Sequence, residues 1–68
     1  MKENISNQVQ ELRKQAKLTQ VELAETVGVT RQTIISIEKG NYVPSIALAL
    51  KLAQAFNTSV EEIFYLNN

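Results

Sequence analysis

Within residues 31–36, four side chains end in hydrogen-bonding groups: Arg31, Gln32, Thr33 and Ser36. An arginine fork matches O6 and N7 of guanine, a glutamine amide matches N6 and N7 of adenine, and threonine or serine reaches methyls and phosphates. Carried on the protruding first turns of a helix, such groups can read base edges in the major groove of DNA. The same residues equally suit an ordinary solvated helix face. Other chemistry is scarce in this chain. It has no cysteine and no histidine, which removes disulfides, thiolate or imidazole metal sites and nucleophile–histidine catalysis. Its carboxylates fall at caps, in exposed turns or in the ion pair argued below, not in a convergent cleft. No enzyme activity, metal, cofactor or small-molecule ligand is therefore expected.

A helix must hold these four side chains, and the sequence opens a helix twice in TQVELAETVGVTRQTIISIEKG, residues 19–40. Thr19 followed by Glu22 has the spacing of a capping box, in which the hydroxyl satisfies an orphan amide and the carboxylate reaches back. Gly28 supplies the left-handed backbone that ends the first of these helices, and Thr30 is the N-cap of the next. The stretch reads helix, tight turn, helix, over Gln20 to about Val27 and Arg31 to Lys39, with Gly40 as the second stop. Leu23, Ala24 and Val27 share one face of the first helix; Ile34, Ile37 and Glu38 share one face of the second.

Three more helices complete the expected all-α, five-helix architecture. Val9, Leu12, Arg13 and Ala16 form a core-facing stripe in a helix starting near Ser6 or Asn7. After Gly40, Pro44 holds Val43 extended and Ser45 caps SIALALKLAQAF, apolar almost all round except for Lys51 and Gln54, which is expected to be the central buried helix. Ser59 with Glu62 repeats the capping-box spacing and opens a short helix carrying Val60, Ile63 and Phe64. YLNN is left as a tail that can pair as a strand, although MKENIS has little strand character. Leu12, Leu23, Ile34, Ile37, Leu48, Leu52 and Phe56 are the expected core.

At 68 residues the chain is expected to be a single domain, 1–68. A chain of this size buries only about 60% of the surface it exposes when unfolded, so its stability is marginal or shared with a partner. The longest apolar run, Ile46 to Leu50, is far too short for a membrane span. MKENISNQ lacks the apolar centre of a signal peptide, and a soluble cytoplasmic protein is expected. Seven Lys and Arg balance seven Glu, but not evenly. Residues 13–40 hold five basic side chains (Arg13, Lys14, Lys17, Arg31, Lys39) against three acidic ones (Glu22, Glu25, Glu38), so an anionic partner should meet the middle of the chain.

Two charges stand on otherwise apolar stripes, Arg13 and Glu38. A buried carboxylate needs a partner, and an arginine fork satisfies both its oxygens, so a bridge between these two residues is the economical inference. An exposed pair at the edge of the core is the alternative.

Taken together, Leu18-Thr19-Gln20, Glu22-Leu23-Ala24, Val27-Gly28-Val29, Thr30-Arg31-Gln32-Thr33-Ile34, Ile37-Glu38-Lys39-Gly40 and Pro44-Ser45, followed by LALKLAQAFNTSVEEIF, resemble the Cro/cI-type helix-turn-helix repressors of the xenobiotic-response-element class. The resemblance covers roughly residues 5 to 65 and is nearest in layout to the small stand-alone dimeric repressors. It implies a lambda-repressor-like fold, double-stranded DNA as partner and a palindromic operator bound by a homodimer. It implies that Gln20 contacts a phosphate through its backbone amide and braces a side chain of the recognition helix. It places Arg31, Gln32, Thr33 and Ser36 at groove-facing positions, with Arg31, Gln32 and Ser36 expected on bases and Thr33 on a phosphate. Lys39, Asn41 and Tyr42 match a loop that lies along the phosphate backbone, and Arg13 with Glu38 matches a family ion pair. Arg31 stands where phage repressors often carry glutamine, which points to guanine there instead of adenine. Ile35 is usually polar in relatives, and its apolar side chain either meets a thymine methyl or is partly covered. The dimer interface is expected near the C-terminus, at Ile63, Phe64, Tyr65 and Leu66, which offer more apolar surface than one short helix can bury alone. The competing reading is an antitoxin or other protein-interaction module with the same fold.

Overall fold

The computed structural model describes residues 4–67; residues 1–3 and 68, the ends of MKENIS and YLNN, lie outside it. Among the described residues the chain forms β1 (Ile5–Asn7), α1 (Val9–Gln15), α2 (Gln20–Val27), α3 (Arg31–Glu38), α4 (Ile46–Phe56), α5 (Val60–Ile63) and β2 (Phe64–Leu66). The fold is thus mostly helical, with five helices and one small antiparallel ribbon.

Local side chains set the helix boundaries. The Thr19 hydroxyl accepts from the Glu22 amide at 3.0 Å while Glu22 accepts from the Thr19 amide at 2.8 Å, closing the capping box of α2. Gly28, at φ +77°, then turns the chain, a conformation that a Cβ would strain. Thr30 accepts from the Thr33 amide at 3.2 Å to start α3, and Ser45 accepts from the Leu48 amide at 3.2 Å to start α4.

Other boundaries differ from the sequence expectation. Ser59 makes no side-chain cap, and Glu62 instead accepts a hydrogen bond from the Thr58 hydroxyl, so the second capping box does not form. The first helix starts at Val9, because Ile5–Asn7 is strand and pairs with β2 in the register Ile5↔Leu66, Ser6↔Tyr65, Asn7↔Phe64. Weak strand propensity is overridden here by a partner strand that brings its own ladder.

Val9, Leu23, Ala24, Val27, Ile34, Ile37, Leu48, Leu52, Ala53 and Ile63 form one continuous core. Leu12 and Phe56 pack against it only partly buried. The larger correction concerns α4. Its Leu48, Ala49, Leu52 and Ala53 face inward, but Ile46 is 80% and Leu50 53% exposed, so the helix buries one side only. Residues 46 and 50 are one turn apart and share a face, and that face is left largely open among the described residues. No helix among the described residues is long and apolar enough to cross a membrane.

Candidate nucleic-acid interface

α3 buries Ile34 and Ile37 against α2 and the core. At 100° per residue this leaves Arg31, Gln32, Ile35 and Ser36 on the arc turned outward, with Thr33 at its flank. Arg31 and Gln32 are exposed; Thr33, Ile35 and Ser36 are half-buried. The first turn of α3 carries no acidic side chain, so the partial positive charge of its N-terminus is not offset locally, and Arg31 adds to it.

The structure brings five of the expected site residues into one open cleft. Gln32, Thr33 and Ser36 form one wall with Thr30, and Asn41 and Tyr42 form the other. Thr33 is partly engaged, since its hydroxyl lies 3.1 Å from that of Thr30. Arg31 stands outside this cleft, on the side of α3 that leads toward Glu38. Lys39 is exposed and lines a separate polar hollow with Ser6, Asn7, Glu38, Gly40 and Tyr65. Ile35 lies on the outward arc between Arg31 and Gln32, half covered.

Behind this surface, Arg13 donates from Nε to Glu38 Oε2 at 2.6 Å and from Nη2 to Glu38 Oε1 at 3.2 Å. The side chains are 10% and 4% exposed respectively. The hydrogen bond that Arg13 donates to Glu38 holds the pKa of Arg13 above the ordinary arginine value, against the opposing effect of burial. Arg13 Nη1 also donates to the Leu18 carbonyl at 2.9 Å, and Gln20 Nε2 donates to Glu38 Oε1 at 3.1 Å. The carboxylate at the end of α3 thereby gathers α1 and the first residue of α2, and its partner Arg13 adds the connection before α2. Among the described residues no buried side-chain nitrogen or oxygen lacks a hydrogen-bond partner.

The C-terminal residues divide. Ile63 is fully enclosed in the core of its own chain and presents no surface to a partner, which removes it from the expected interface. Phe64 is half-buried, and Tyr65 and Leu66 are exposed. The apolar surface instead extends to residues that sequence reasoning passed over: Phe64 shares a hollow with Ile5, Val43, Pro44, Ile46, Ala49 and Val60. The signal that could have found it is the Ile46 and Leu50 pair, apolar at i, i+4 on the helix side that also carries Lys51 and Gln54.

Residues 9–63 match the family model described as helix-turn-helix, HTH_3. Over 62 residues the chain is 53% identical to the HTH-type transcriptional regulator YgzD of Bacillus subtilis, covering 91% of this chain and 94% of that one. It is 34% identical over 59 residues to the immunity repressor protein of Bacillus phage phi105, covering 87% of this chain and 41% of the repressor. Among solved structures, the restriction-modification controller protein C.AhdI from Aeromonas hydrophila superposes with a TM-score of 0.75 at 33% identity, over 81% of this chain and 83% of that one. With a capped helix, a glycine turn and a second helix presenting its polar first turns, the chain belongs to the helix-turn-helix (HTH_3) family of DNA-binding transcriptional regulators.

Proposed function

We propose that residues 1–68 act as a single helix-turn-helix unit in the cytoplasm, binding a palindromic operator as a homodimer and repressing transcription by occupying the site. The observation that carries this reading is the outward arc of α3, where Arg31, Gln32 and Ser36 stand clear of the core with no carboxylate in the first turn. Arg31, Gln32 and Ser36 contact bases, while Gln20, Thr33, Lys39, Asn41 and Tyr42 hold phosphates. The cleft shared by Gln32, Ser36, Asn41 and Tyr42 supports placing the loop after α3 beside the reading helix. The relatives described above are regulators and a repressor, which favours regulation over the antitoxin alternative.

Dimerisation follows from the same economy. One half-site contacts few base pairs, and two-fold operators place half-sites about 34 Å apart. Phe64, Tyr65 and Leu66 contribute to the interface, together with the exposed Val43, Ile46 and Leu50. Selection of bound duplexes from a random pool tests the whole reading. Recovered sequences should contain an inverted repeat with half-sites about one helical turn apart; an asymmetric site, or no enrichment, would overturn it.

A further inference from the structure

Asn7, the last residue of β1, uses both ends of its side-chain amide. Its oxygen accepts from the Val9 amide two residues on at 3.0 Å, satisfying the first amide of α1, and its nitrogen donates to the Ile37 carbonyl at 2.9 Å, in the last turn of α3. The adjacent Gln8 amide donates to the Ile63 carbonyl at 2.8 Å, and Gln8 Nε2 donates to the Tyr65 hydroxyl at 3.1 Å, so this segment is held firmly to the opposite end of the chain. Ile37 itself is completely buried, and its neighbour Glu38 is the residue held by Arg13 and Gln20.

We infer that Asn7 is a positioning residue for DNA recognition, fixing the end of α3 to the terminal β-ribbon and so setting the angle at which Arg31, Gln32 and Ser36 meet the groove. The inference rests on the proposed reading of DNA by α3. Arg13 and Gln20 tie α3 to α1 and α2, but both act through the Glu38 side chain; Asn7 reaches the backbone of α3 directly and from the ribbon, at a carbonyl whose other hydrogen bond, from the Gly40 amide at 2.9 Å, is local to the end of the helix. A rotation of α3 about its C-terminal end moves its N-terminal residues most, because they lie farthest from the pivot. Base contacts depend steeply on such placement, whereas contacts of long cationic side chains to phosphates tolerate it.

The experiment measures affinity for a duplex selected by the wild-type protein and for its scrambled counterpart, with Asn7→Asp, Asn7→Ser and Gln32→Ala compared to wild type. Aspartate and serine both keep an acceptor for the Val9 amide; an ionised aspartate has no donor for the Ile37 carbonyl, and the single, shorter serine hydroxyl does not span the two partners that the amide reaches with separate atoms, so the first amide of α1 stays satisfied while the tie to α3 is lost. Each is assayed below its own melting transition, and loss of fold in one leaves the other to decide. The expected result is a fall of roughly five- to tenfold in the ratio of selected to scrambled affinity, the size of one weakened base contact, with the slope of affinity against salt unchanged. A role confined to stability moves the melting temperature and leaves that ratio alone. If Gln32→Ala lowers the ratio and folded Asn7→Asp and Asn7→Ser do not, the positioning role is refuted. If Gln32→Ala leaves the ratio unchanged as well, the reading of DNA by α3 fails instead.

Discussion

Arg13 holds both oxygens of Glu38, at 2.6 and 3.2 Å, from a helix twenty-five residues earlier in the chain. The contact joins α1 to the end of α3, and with Leu18 and Gln20 it forms a small polar knot where α1, α2 and α3 meet. Its members are satisfied and largely removed from water, so the loss of one leaves the others exposed to a low-dielectric surrounding without compensation.

Replacement of Arg13 by methionine should therefore cost about 3 to 5 kcal/mol, since Glu38 is left buried with only Gln20 as donor and the Leu18 carbonyl loses a partner. Replacing both residues, as Arg13→Met with Glu38→Leu, should recover most of that loss. Urea denaturation midpoints check both statements. Because the folded-state pKa of Arg13 is raised, the stabilisation it brings is full below the ordinary arginine range and fades only as pH rises through the raised value. Stability should accordingly be flat, on this account, from neutral to mildly alkaline pH. An unchanged midpoint for Arg13→Met would contradict the burial of the pair.

The two threonine and serine caps offer a sharper contrast. Thr30→Ala removes an acceptor that the Thr33 amide uses and should lower stability by about 1 kcal/mol, whereas Ser59→Ala removes no cap bond and should be close to neutral. Thermal melts of the two variants side by side decide it. Equal losses would mean that Ser59 caps α5 in solution.

Why these boundaries were readable and others were not has a physical reason. Thr19 with Glu22, Gly28, Thr30, Gly40 and the Pro44-Ser45 pair act on backbone within four residues of themselves, so their sequence spacing already states their geometry. The β-ribbon has no such local cause. Ile5 meets Leu66 across nearly the whole chain, and three-residue strands carry no periodicity to detect. Ser59 followed by Glu62 had the right spacing, yet Thr58 captured the carboxylate, a competition between neighbours that spacing cannot rank. The exposed side of α4 is hidden in the sequence for a different reason: Ile46 and Leu50 have the residue types of core positions, and only their exposure in the folded chain distinguishes them. At the proposed site, the polar first turn of α3 was visible in the residue types, but the closure of the cleft by Asn41 and Tyr42 and the two-ended bond of Asn7 depend on distant elements.

That exposed side leads to a prediction about assembly. Ile46→Lys and Leu50→Glu each put a charge on an open apolar surface, so neither should unfold the chain, and both should weaken self-association. Sedimentation velocity on the wild type should give a dimer without DNA, and on either variant a smaller species at the same concentration. A helical circular-dichroism spectrum equal to that of the wild type confirms that the variants fold. A wild-type monomer, or variants that stay dimeric, would place the interface elsewhere.

The final prediction separates reading from gripping. Arg31 and Gln32 are exposed on the first turn of α3, where their planar groups can meet base edges, while Lys39 is exposed at the C-cap, immediately after the last turn. Losing a bidentate base contact costs about 1 to 3 kcal/mol and relaxes preference at one base pair, whereas losing a phosphate contact weakens all sequences alike and reduces the salt slope by about one. Arg31→Ala, Gln32→Ala and Lys39→Ala titrated against selected and scrambled duplexes at several salt concentrations should fall into these two classes. Arg31→Ala should relax a guanine position and Gln32→Ala an adenine position, because the guanidinium donates twice while the amide donates once and accepts once. Lys39→Ala should leave the ratio of the two affinities unchanged and flatten their dependence on salt. Equal losses on both duplexes for Arg31→Ala and Gln32→Ala would show that neither side chain reads sequence, and would move recognition to Ser36 and to the shape of the DNA.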